Sequence, residues 1–213
     1  EICPMILKAS HHPVIYPFFQ FYSWLKIKMH FHHVSISHDF REKGLPILMI
    51  SNHFSWWDGF WVVYLNLKLL HRKFFFFMML EEELRKHMYL NKSGGFSVRK
   101  GSRSIVESLS YTAELLNDRN NLVLMFPQGR IESIYKKDFI FEKGIEFVLK
   151  KASSRPQIIF LVNLVDYFSN QKPGLYMYLK EYSGNDFRTE TLQKEFNLFY
   201  SECVAVNISK SQE

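Results

Sequence analysis

The chain has 213 residues, of which 47% are hydrophobic and 23% charged, with 27 Lys and Arg against 21 Asp and Glu. This length fits one domain with a full hydrophobic core and leaves little room for a second. A net charge of +6 and a mean hydropathy of -0.15 exclude a disordered chain, a collagen-like chain and a protein with several membrane spans. Aromatic residues make up 17% of the chain, which is more than a core of this size requires.

The first predicted element is an aromatic segment over residues 14–25, VIYPFFQFYSWL. It is shorter than the roughly 18 apolar residues that span a bilayer, so it does not predict a transmembrane helix. In a secretory signal the positive charges precede the apolar run, whereas here Lys26 and Lys28 follow it. Such a segment is typical of the membrane interface, and a helix packed on the body of the protein is the alternative. We therefore predict a membrane-associating segment over residues 1–30 and the main domain over 31–213. The side chains expected to face lipid are Tyr16, Phe18, Phe19, Phe21, Tyr22 and Trp24.

Beyond residue 30, short apolar runs that are typical of strands alternate with stretches that have apolar residues at helical spacing. In chain order these are an edge strand at residues 31–37, strands at 47–50 and 74–78, a helix capped by Ser102, a strand at 122–126, a helix over 145–152, strands at 158–164 and 175–179, and a helix from about Thr189. This alternation indicates an α/β fold, and we expect a single domain with a mixed, mostly parallel sheet flanked by helices.

The two cysteines, Cys3 and Cys203, lie near opposite ends of the chain. Their separation matches no metal or redox motif, and their small number favours a reducing compartment over a disulfide scaffold. Because Cys203 falls in the apolar stripe of the last predicted helix, we expect it to be a core residue and not a nucleophile.

His53 and Asp58 form the candidate catalytic pair, because they directly follow the strand at residues 47–50, where sites of α/β proteins usually lie. A separation of five residues would place them on different faces of a regular helix, so contact requires a turn that leads into a helix starting near Asp58. A carboxylate on one ring nitrogen orients an imidazole and lets the other nitrogen take a proton from an incoming hydroxyl. A simple helix cap is the alternative role for Asp58.

Four blocks of sequence resemble the glycerolipid acyltransferases typified by 1-acylglycerol-3-phosphate acyltransferase. The first is Asn52-His53-x4-Asp58, which matches the family's His-x4-Asp motif, and the second is GGFSVR at residues 94–99. The third is LVLMFPQGR at residues 122–130, and the fourth is the strand at 158–164 with the strand that follows it. The blocks stand in the family's order and cover most of the chain.

The resemblance implies that the enzyme transfers an acyl group from acyl-CoA or acyl-carrier protein to a lipid hydroxyl, without a metal or prosthetic group. His53 would be the general base and Asp58 its orienting partner, while Arg99 would bind the phosphate of the acceptor. The enzyme would work at a membrane surface, as a peripheral or monotopic protein on the cytoplasmic face. The acceptor site would be lined by Phe126, Pro127, Gln128, Gly129 and Arg130.

Two departures from the family pattern concern the acceptor more than the chemistry. The usual third block is Phe-Pro-Glu-Gly-Thr-Arg, whereas this chain has Gln128 in place of the Glu and Arg130 directly after Gly129, without the Thr. The fourth block has Leu161-Val162-Asn163, where Val-Pro-Val is usual. Lysophosphatidic acid or another lysolipid remains the expected acceptor. A glycosylated, aminoacyl or pigment lipid is the alternative.

A second class of function is a non-catalytic, peripheral lipid-binding protein on the same fold, which would not need both His53 and Asp58. Nucleic-acid binding is suggested only by the high pI, and the Lys and Arg residues are dispersed without a recognition motif. The aromatic excess fits an enzyme at a lipid surface. We expect the rings around the pair to exclude water and to line an acyl channel, namely Phe54, Trp56, Trp57, Phe60 and Trp61.

Overall fold

The computed structural model describes residues 6–99 and 104–210. Its elements follow in the order α1 (Ile15–His30), β1 (His33–Asp39), β2 (Ile47–Ser51), α2 (Asp58–Leu65), β3 (Phe74–Leu80), α3 (Glu81–Lys86), α4 (Met88–Asn91), β4 (Gly95–Val98), α5 (Ser104–Leu115), β5 (Asn121–Met125), α6 (Gly144–Lys151), β6 (Gln157–Asp166), β7 (Gly174–Glu181) and α7 (Thr189–Ser209). A π-helical turn, Asn66–Leu70, extends α2. The α/β prediction is confirmed.

The strands form one seven-stranded sheet in the order β1-β7-β6-β2-β5-β3-β4. All neighbouring strands are parallel except β6 and β7, which run antiparallel to each other. The sheet is therefore mixed and mostly parallel, as the sequence predicts. Because β2, β5, β3 and β4 are parallel neighbours, their carboxyl ends lie along one edge of the sheet.

Each face of the sheet carries a layer of helices, and β2 shows why. All five of its residues are buried, and their side chains alternate between the two faces. Leu48 and Ile50 belong to the core cluster that contains residues of α5, α6 and α7, whereas Ile47 and Met49 belong to the cluster that contains residues of α1 and α2. A strand buried on both faces reads as a continuous apolar run, which is the pattern seen at residues 47–50.

The predicted strands and helices are present, with boundaries that shift by a few residues. The predicted cap Ser102 lies outside the described residues, and α5 is described from Ser104. Cys203 is buried in α7, where burial raises the pKa of its thiol to about 12, so the prediction of a core cysteine is confirmed. The short helices α3 and α4 have no counterpart in the sequence prediction.

Gly94 places β4 close to β3 at the edge of the sheet. Its φ of 101° lies in the region that favours glycine, and an added Cβ would stand 1.8 Å from the carbonyl oxygen of Phe75. Only a residue without a side chain lets the backbone approach β3 this closely. Gly94 in the second block is therefore required by packing, and it determines the position of β4 and hence of Arg99, which follows that strand.

The aromatic segment forms α1, and one part of its prediction is wrong. Tyr16 and Phe19 are buried, because the helix packs against α2 and the sheet; the Phe19 ring lies 5.1 Å from that of Phe60. The outward face, by contrast, exposes Val14, Phe18, Phe21, Leu25 and Met29. An apolar run gives no signal of which rings turn inward. No helix within residues 6–99 and 104–210 is long and apolar enough to cross a membrane.

Candidate active site

The chain leaves the sheet two residues before His53, and Asn52 holds it there. The pairing of β2 with β6 ends at Ser51, opposite Leu161. The buried Asn52 side chain then bonds the backbone of Asn163 twice: its Oδ1 accepts from the N–H, and its Nδ2 donates to the carbonyl, both at 2.9 Å. The Asn52 side chain thus replaces the backbone hydrogen bonds of the β2–β6 pairing, and the backbone of the chain can turn away from the sheet toward His53.

His53 and Asp58 are in contact through the turn that their spacing in the sequence requires. The chain bends after His53, and Asp58 is the first residue of α2. The imidazole Nδ1 lies 2.8 Å from Oδ2 of Asp58, and the backbone N–H groups of Phe54 and Ser55 donate to that same oxygen at 2.8 and 3.0 Å. Asp58 therefore holds the turn before α2 and orients the histidine at once. It is not the helix cap considered as its alternative role, because the N-cap residue is Trp57, and both backbone groups that donate to Asp58 precede the helix.

The carboxylate of Asp58 lies in a part of the site that solvent does not reach. Its side chain is 0% exposed, whereas that of His53 is 21% exposed. Burial raises the pKa of Asp58, and the hydrogen bonds from His53, Ser55 and Phe54 oppose that rise. Three donors on one oxygen favour the ionised acid, which in turn favours the tautomer with a proton on Nδ1. The other ring nitrogen, Nε2, is then the one that can accept a proton.

The loop after β5 closes over the histidine ring. Phe126 stacks on the imidazole with ring centroids 4.0 Å apart and planes tilted by 11°. Gly129 turns the loop back with a φ of 64°, and its N–H donates to the Phe126 carbonyl at 3.0 Å. Stacking removes one face of the imidazole from water and restricts the rotation of the ring.

Gln128 ties this loop to the histidine backbone. Its Oε1 accepts from the His53 N–H at 2.8 Å, and its Nε2 donates to Oε2 of Glu132 at 2.9 Å. The backbone N–H of Glu132 donates in turn to the His53 carbonyl at 2.9 Å. His53 is thus held through both its backbone N–H and its carbonyl by one loop.

Glu132 is a site residue that no motif in the sequence indicates. Its side chain is only 8% exposed, and its Oε1 accepts from Nζ of Lys136 at 2.5 Å and from Nε of Arg130 at 3.0 Å. Burial opposes ionisation, but hydrogen bonds from Gln128, Lys136 and Arg130 outweigh it and lower the pKa of Glu132 to about 2. Its position two residues after Arg130, outside the motif, gave no signal.

Arg99 follows β4, at the far end of the same sheet edge, where Glu81 engages it. Its Nε and Nη2 donate to the two oxygens of Glu81 at 2.7 and 2.6 Å, and Arg85 donates to one of those oxygens at 2.9 Å. The bonds from Arg99 hold the pKa of Glu81 below its ordinary value. Two guanidinium groups share one buried carboxylate, so this cluster of three side chains carries a net positive charge.

Comparison with known proteins places this geometry in a family. A family model described as acyltransferase matches residues 32–164, which is more than half of the chain. The chain belongs to the acyltransferase family.

The fold of this acyltransferase is also found among solved structures. The crystal structure of the 1-acyl-sn-glycerophosphate (LPA) acyltransferase PlsC from Thermotoga maritima matches with a TM-score of 0.55 and 15% sequence identity. The match covers 90% of this chain and 79% of PlsC. At that identity the likeness concerns the fold alone. A search among curated proteins gives no match.

The structure brings some of the predicted site residues of this acyltransferase together and separates others. His53, Asp58, Phe126 and Gln128 form one contact cluster. Gly129 and Arg130 continue the same loop, and the carbonyl of the buried Pro127 accepts from the Glu142 N–H at 2.8 Å. Arg99 stands apart, because β5 and β3 lie between β4 and β2 in the sheet.

The aromatic residues around the pair divide between packing and exposure. Phe54 packs on Trp61 at 5.4 Å, and both Phe60 and Trp61 are buried, whereas Trp56 is 42% exposed. A small apolar groove of about 130 Å³ opens between α1 and α2. It is lined by Lys26, Ile27, His30, Phe31, Trp57, Phe60 and Trp61. Part of the aromatic set therefore joins α1 to α2, and part borders this groove.

Proposed function

We propose that this acyltransferase moves a fatty acyl group from an acyl-CoA or acyl-carrier-protein thioester to the hydroxyl of a lipid acceptor, lysophosphatidic acid or another lysolipid. The observation that carries the proposal is the contact of His53 Nδ1 with the fully buried Asp58. The family match and the PlsC-like fold support the reaction class. A lipid-binding protein without catalysis would have no use for a buried carboxylate aligned on a partly exposed imidazole.

The proposed reaction needs only the chain and its two substrates. Nε2 of His53 takes the proton of the acceptor hydroxyl as the oxygen attacks the thioester carbonyl carbon and forms the C–O bond. Asp58 stabilises the imidazolium that results. The tetrahedral intermediate then breaks its C–S bond, and the imidazolium returns the proton to the departing sulfur. The products are the acylated lipid and a free thiol, which gives a direct assay.

Arg99 is proposed to receive an anionic headgroup at the end of the sheet edge, together with Arg85. Their shared partner Glu81 leaves the cluster with a net positive charge, and guanidinium geometry suits phosphate oxygens. Phe126, Gly129 and Arg130 would line the acceptor site between this cluster and His53, whereas Pro127 and Gln128 are buried within the loop. A glycosylated, aminoacyl or pigment lipid is the alternative acceptor, and an acceptor without a phosphate is favoured by the bidentate bond that Arg99 already makes to Glu81.

Replacing Arg99 separates these two acceptor classes. For a phosphate-bearing lysolipid, we expect Arg99→Ala to raise the acceptor KM by about 10- to 100-fold, the loss of a charge-assisted bond, with little change in kcat. Thiol release at varied acceptor concentration measures this. Arg155→Ala, an arginine just before β6, serves as the matched control. An unchanged acceptor KM would remove Arg99 from the site and favour a glycosylated, aminoacyl or pigment lipid without a phosphate.

The outward face of α1 is proposed to dock the enzyme on a lipid surface, on the cytoplasmic side of a membrane. It exposes Phe18 at 63% and Phe21 at 56%, and rings continue from it toward the site. Phe18 contacts Tyr22, Tyr22 contacts Phe60, and Phe60 contacts Trp56, which lies between His53 and Asp58 in the chain, with centroids 5.0 to 6.4 Å apart. Docking there would place the site beside the lipid.

Substituting this face tests the docking. We expect the double change Phe18→Asp and Phe21→Asp to weaken binding to vesicles of phosphatidylcholine and phosphatidylglycerol by at least about 10-fold, because each phenylalanine loses its apolar burial. Co-sedimentation measures the bound fraction. Ile140→Asp changes an equally exposed apolar residue outside α1 and should bind as wild type does. If the double variant and wild type bind equally, α1 is not the docking face.

A further inference from the structure

The loop after β5 contains an amide and a carboxylate that depend on each other. The side-chain amide of Gln128, which is 3% exposed, bonds at both ends: its oxygen accepts from the His53 backbone N–H, and its nitrogen donates to Glu132. An amide can do both at neutral pH, whereas an ionised carboxylate has no proton to donate. The orientation of this amide is therefore set by Glu132.

Glu132 is in turn held in one ionisation state by its surroundings. One oxygen accepts from Gln128, and the other accepts from Lys136 and Arg130. These three donors keep the buried carboxylate charged. It follows that the donor end of the Gln128 amide always faces Glu132 and that its acceptor end always faces His53.

A glutamate at position 128, the residue usual in the family's third block, does not fit this chain. It would place two carboxylates at the 2.9 Å that now separates Gln128 Nε2 from Glu132 Oε2. Two charges that close cannot both ionise without a large penalty, so one of them would have to take up a proton or move away. Either response loosens the bond to the His53 backbone.

We propose that Gln128 and Glu132 are a coupled pair of positioning residues that act through His53. Glu132 sets the orientation of the Gln128 amide, and Gln128 fixes the backbone of His53, so that the imidazole stays aligned on Asp58. The loop thus has its carboxylate at Glu132, four residues after Gln128, where it accepts from Gln128, Lys136 and Arg130. The inference rests on the proposed function, because it takes His53 as the base.

The test exchanges the two side chains singly and together. In Gln128→Glu the two carboxylates repel, and in Glu132→Gln the cations pull the new amide oxygen toward themselves and turn its NH2 group against that of Gln128. We expect each single variant to lower kcat by about 10- to 100-fold, the cost of a misplaced catalytic group, with the thioester KM unchanged. The double exchange restores every bond and should lie within about 3-fold of wild type.

The pH profile distinguishes this coupling from a simple loss of structure. As the pH falls, one proton bound between the two carboxylates should let Gln128→Glu recover activity relative to wild type. The double exchange, with a single carboxylate, should follow the wild-type profile. Glu202→Gln removes an exposed partner of Lys180 and the same single negative charge as Glu132→Gln, so it is the control for that variant and should match wild type.

Any of three results would overturn the proposal. The first is a wild-type kcat in Gln128→Glu, and the second is a double exchange no more active than either single variant. The third is a pH profile of Gln128→Glu identical to that of wild type. If Gln128→Glu does not fold, the comparison of Glu132→Gln with the double exchange decides, because the double exchange must be the more active. If wild type acylates no lysolipid, the proposed function fails, and the nitrogen resonances of the His53 ring become the readout. They should shift in the single variants and return in the double exchange if the pair is coupled, and stay unchanged if it is not.

Discussion

His53→Ala is expected to lower kcat by at least about 1,000-fold, within the roughly 100- to 10,000-fold that general acid–base catalysis contributes. The structure gives the reason, since His53 is the partly exposed imidazole aligned on the buried Asp58. Without the ring, no group at this position takes the proton of the acceptor hydroxyl. Thiol release from acyl-CoA or acyl-carrier protein in the presence of a lysolipid measures the effect.

The control for this loss is His38→Ala. His38 is an exposed histidine of β1, and because β1 runs antiparallel to β2, it lies toward the opposite edge of the sheet. It should retain wild-type turnover, which would show that losing an exposed histidine elsewhere does not matter. Full activity in His53→Ala, with the ester product verified, would disprove the mechanism.

Asp58→Asn should lower kcat by about 10,000-fold, by analogy with the same change in other His–Asp pairs. The amide retains the shape of the side chain but loses the charge that stabilises the imidazolium, and it can also select the wrong tautomer of His53. The amide oxygen can still accept from the N–H groups of Phe54 and Ser55, so the turn before α2 should persist. Turnover and the thermal unfolding midpoint should therefore respond very differently.

Asp39→Asn, at the end of β1, is the matched exchange away from the site. It should leave both kcat and the unfolding midpoint unchanged. A loss of activity in Asp58→Asn that merely follows a loss of folded protein would leave Asp58 with only a structural role in the turn before α2. A kcat within about 10-fold of wild type would contradict an orienting carboxylate, since such pairs lose far more.

The layered fold was predictable because its strands are apolar runs with clear ends. The run at residues 47–50 is buried on both faces as β2, and its neighbours at 122–126 and 158–164 became β5 and β6. The order of the strands was not predictable, since it depends on contacts between distant segments. The inward turn of Tyr16 and Phe19 in α1 escaped prediction because nearly every residue around them is apolar as well.

The part of the candidate site that lies within one short segment, the contact of His53 with Asp58, was predictable from the sequence. Spacing alone required the turn between His53 and Asp58, and the structure shows that turn. The partners that surround the pair come from elsewhere: Gln128 is 75 residues from His53, and Glu81 is 18 residues from Arg99. A contact over such a separation depends on how loops meet at the sheet edge, and no local pattern in the sequence encodes it.

Measuring thiol and ester in the same sample tests directly whether His53 and Asp58 transfer an acyl group to a lipid hydroxyl. Wild-type enzyme receives an acyl thioester with and without a lysolipid, and both products are quantified over time. Acyl transfer to a lipid hydroxyl by the His53–Asp58 pair predicts one ester per thiol, strict dependence on the acceptor, and neither product from His53→Ala. Thiol release without an acceptor, or ester formed by His53→Ala at the wild-type rate, would contradict the account.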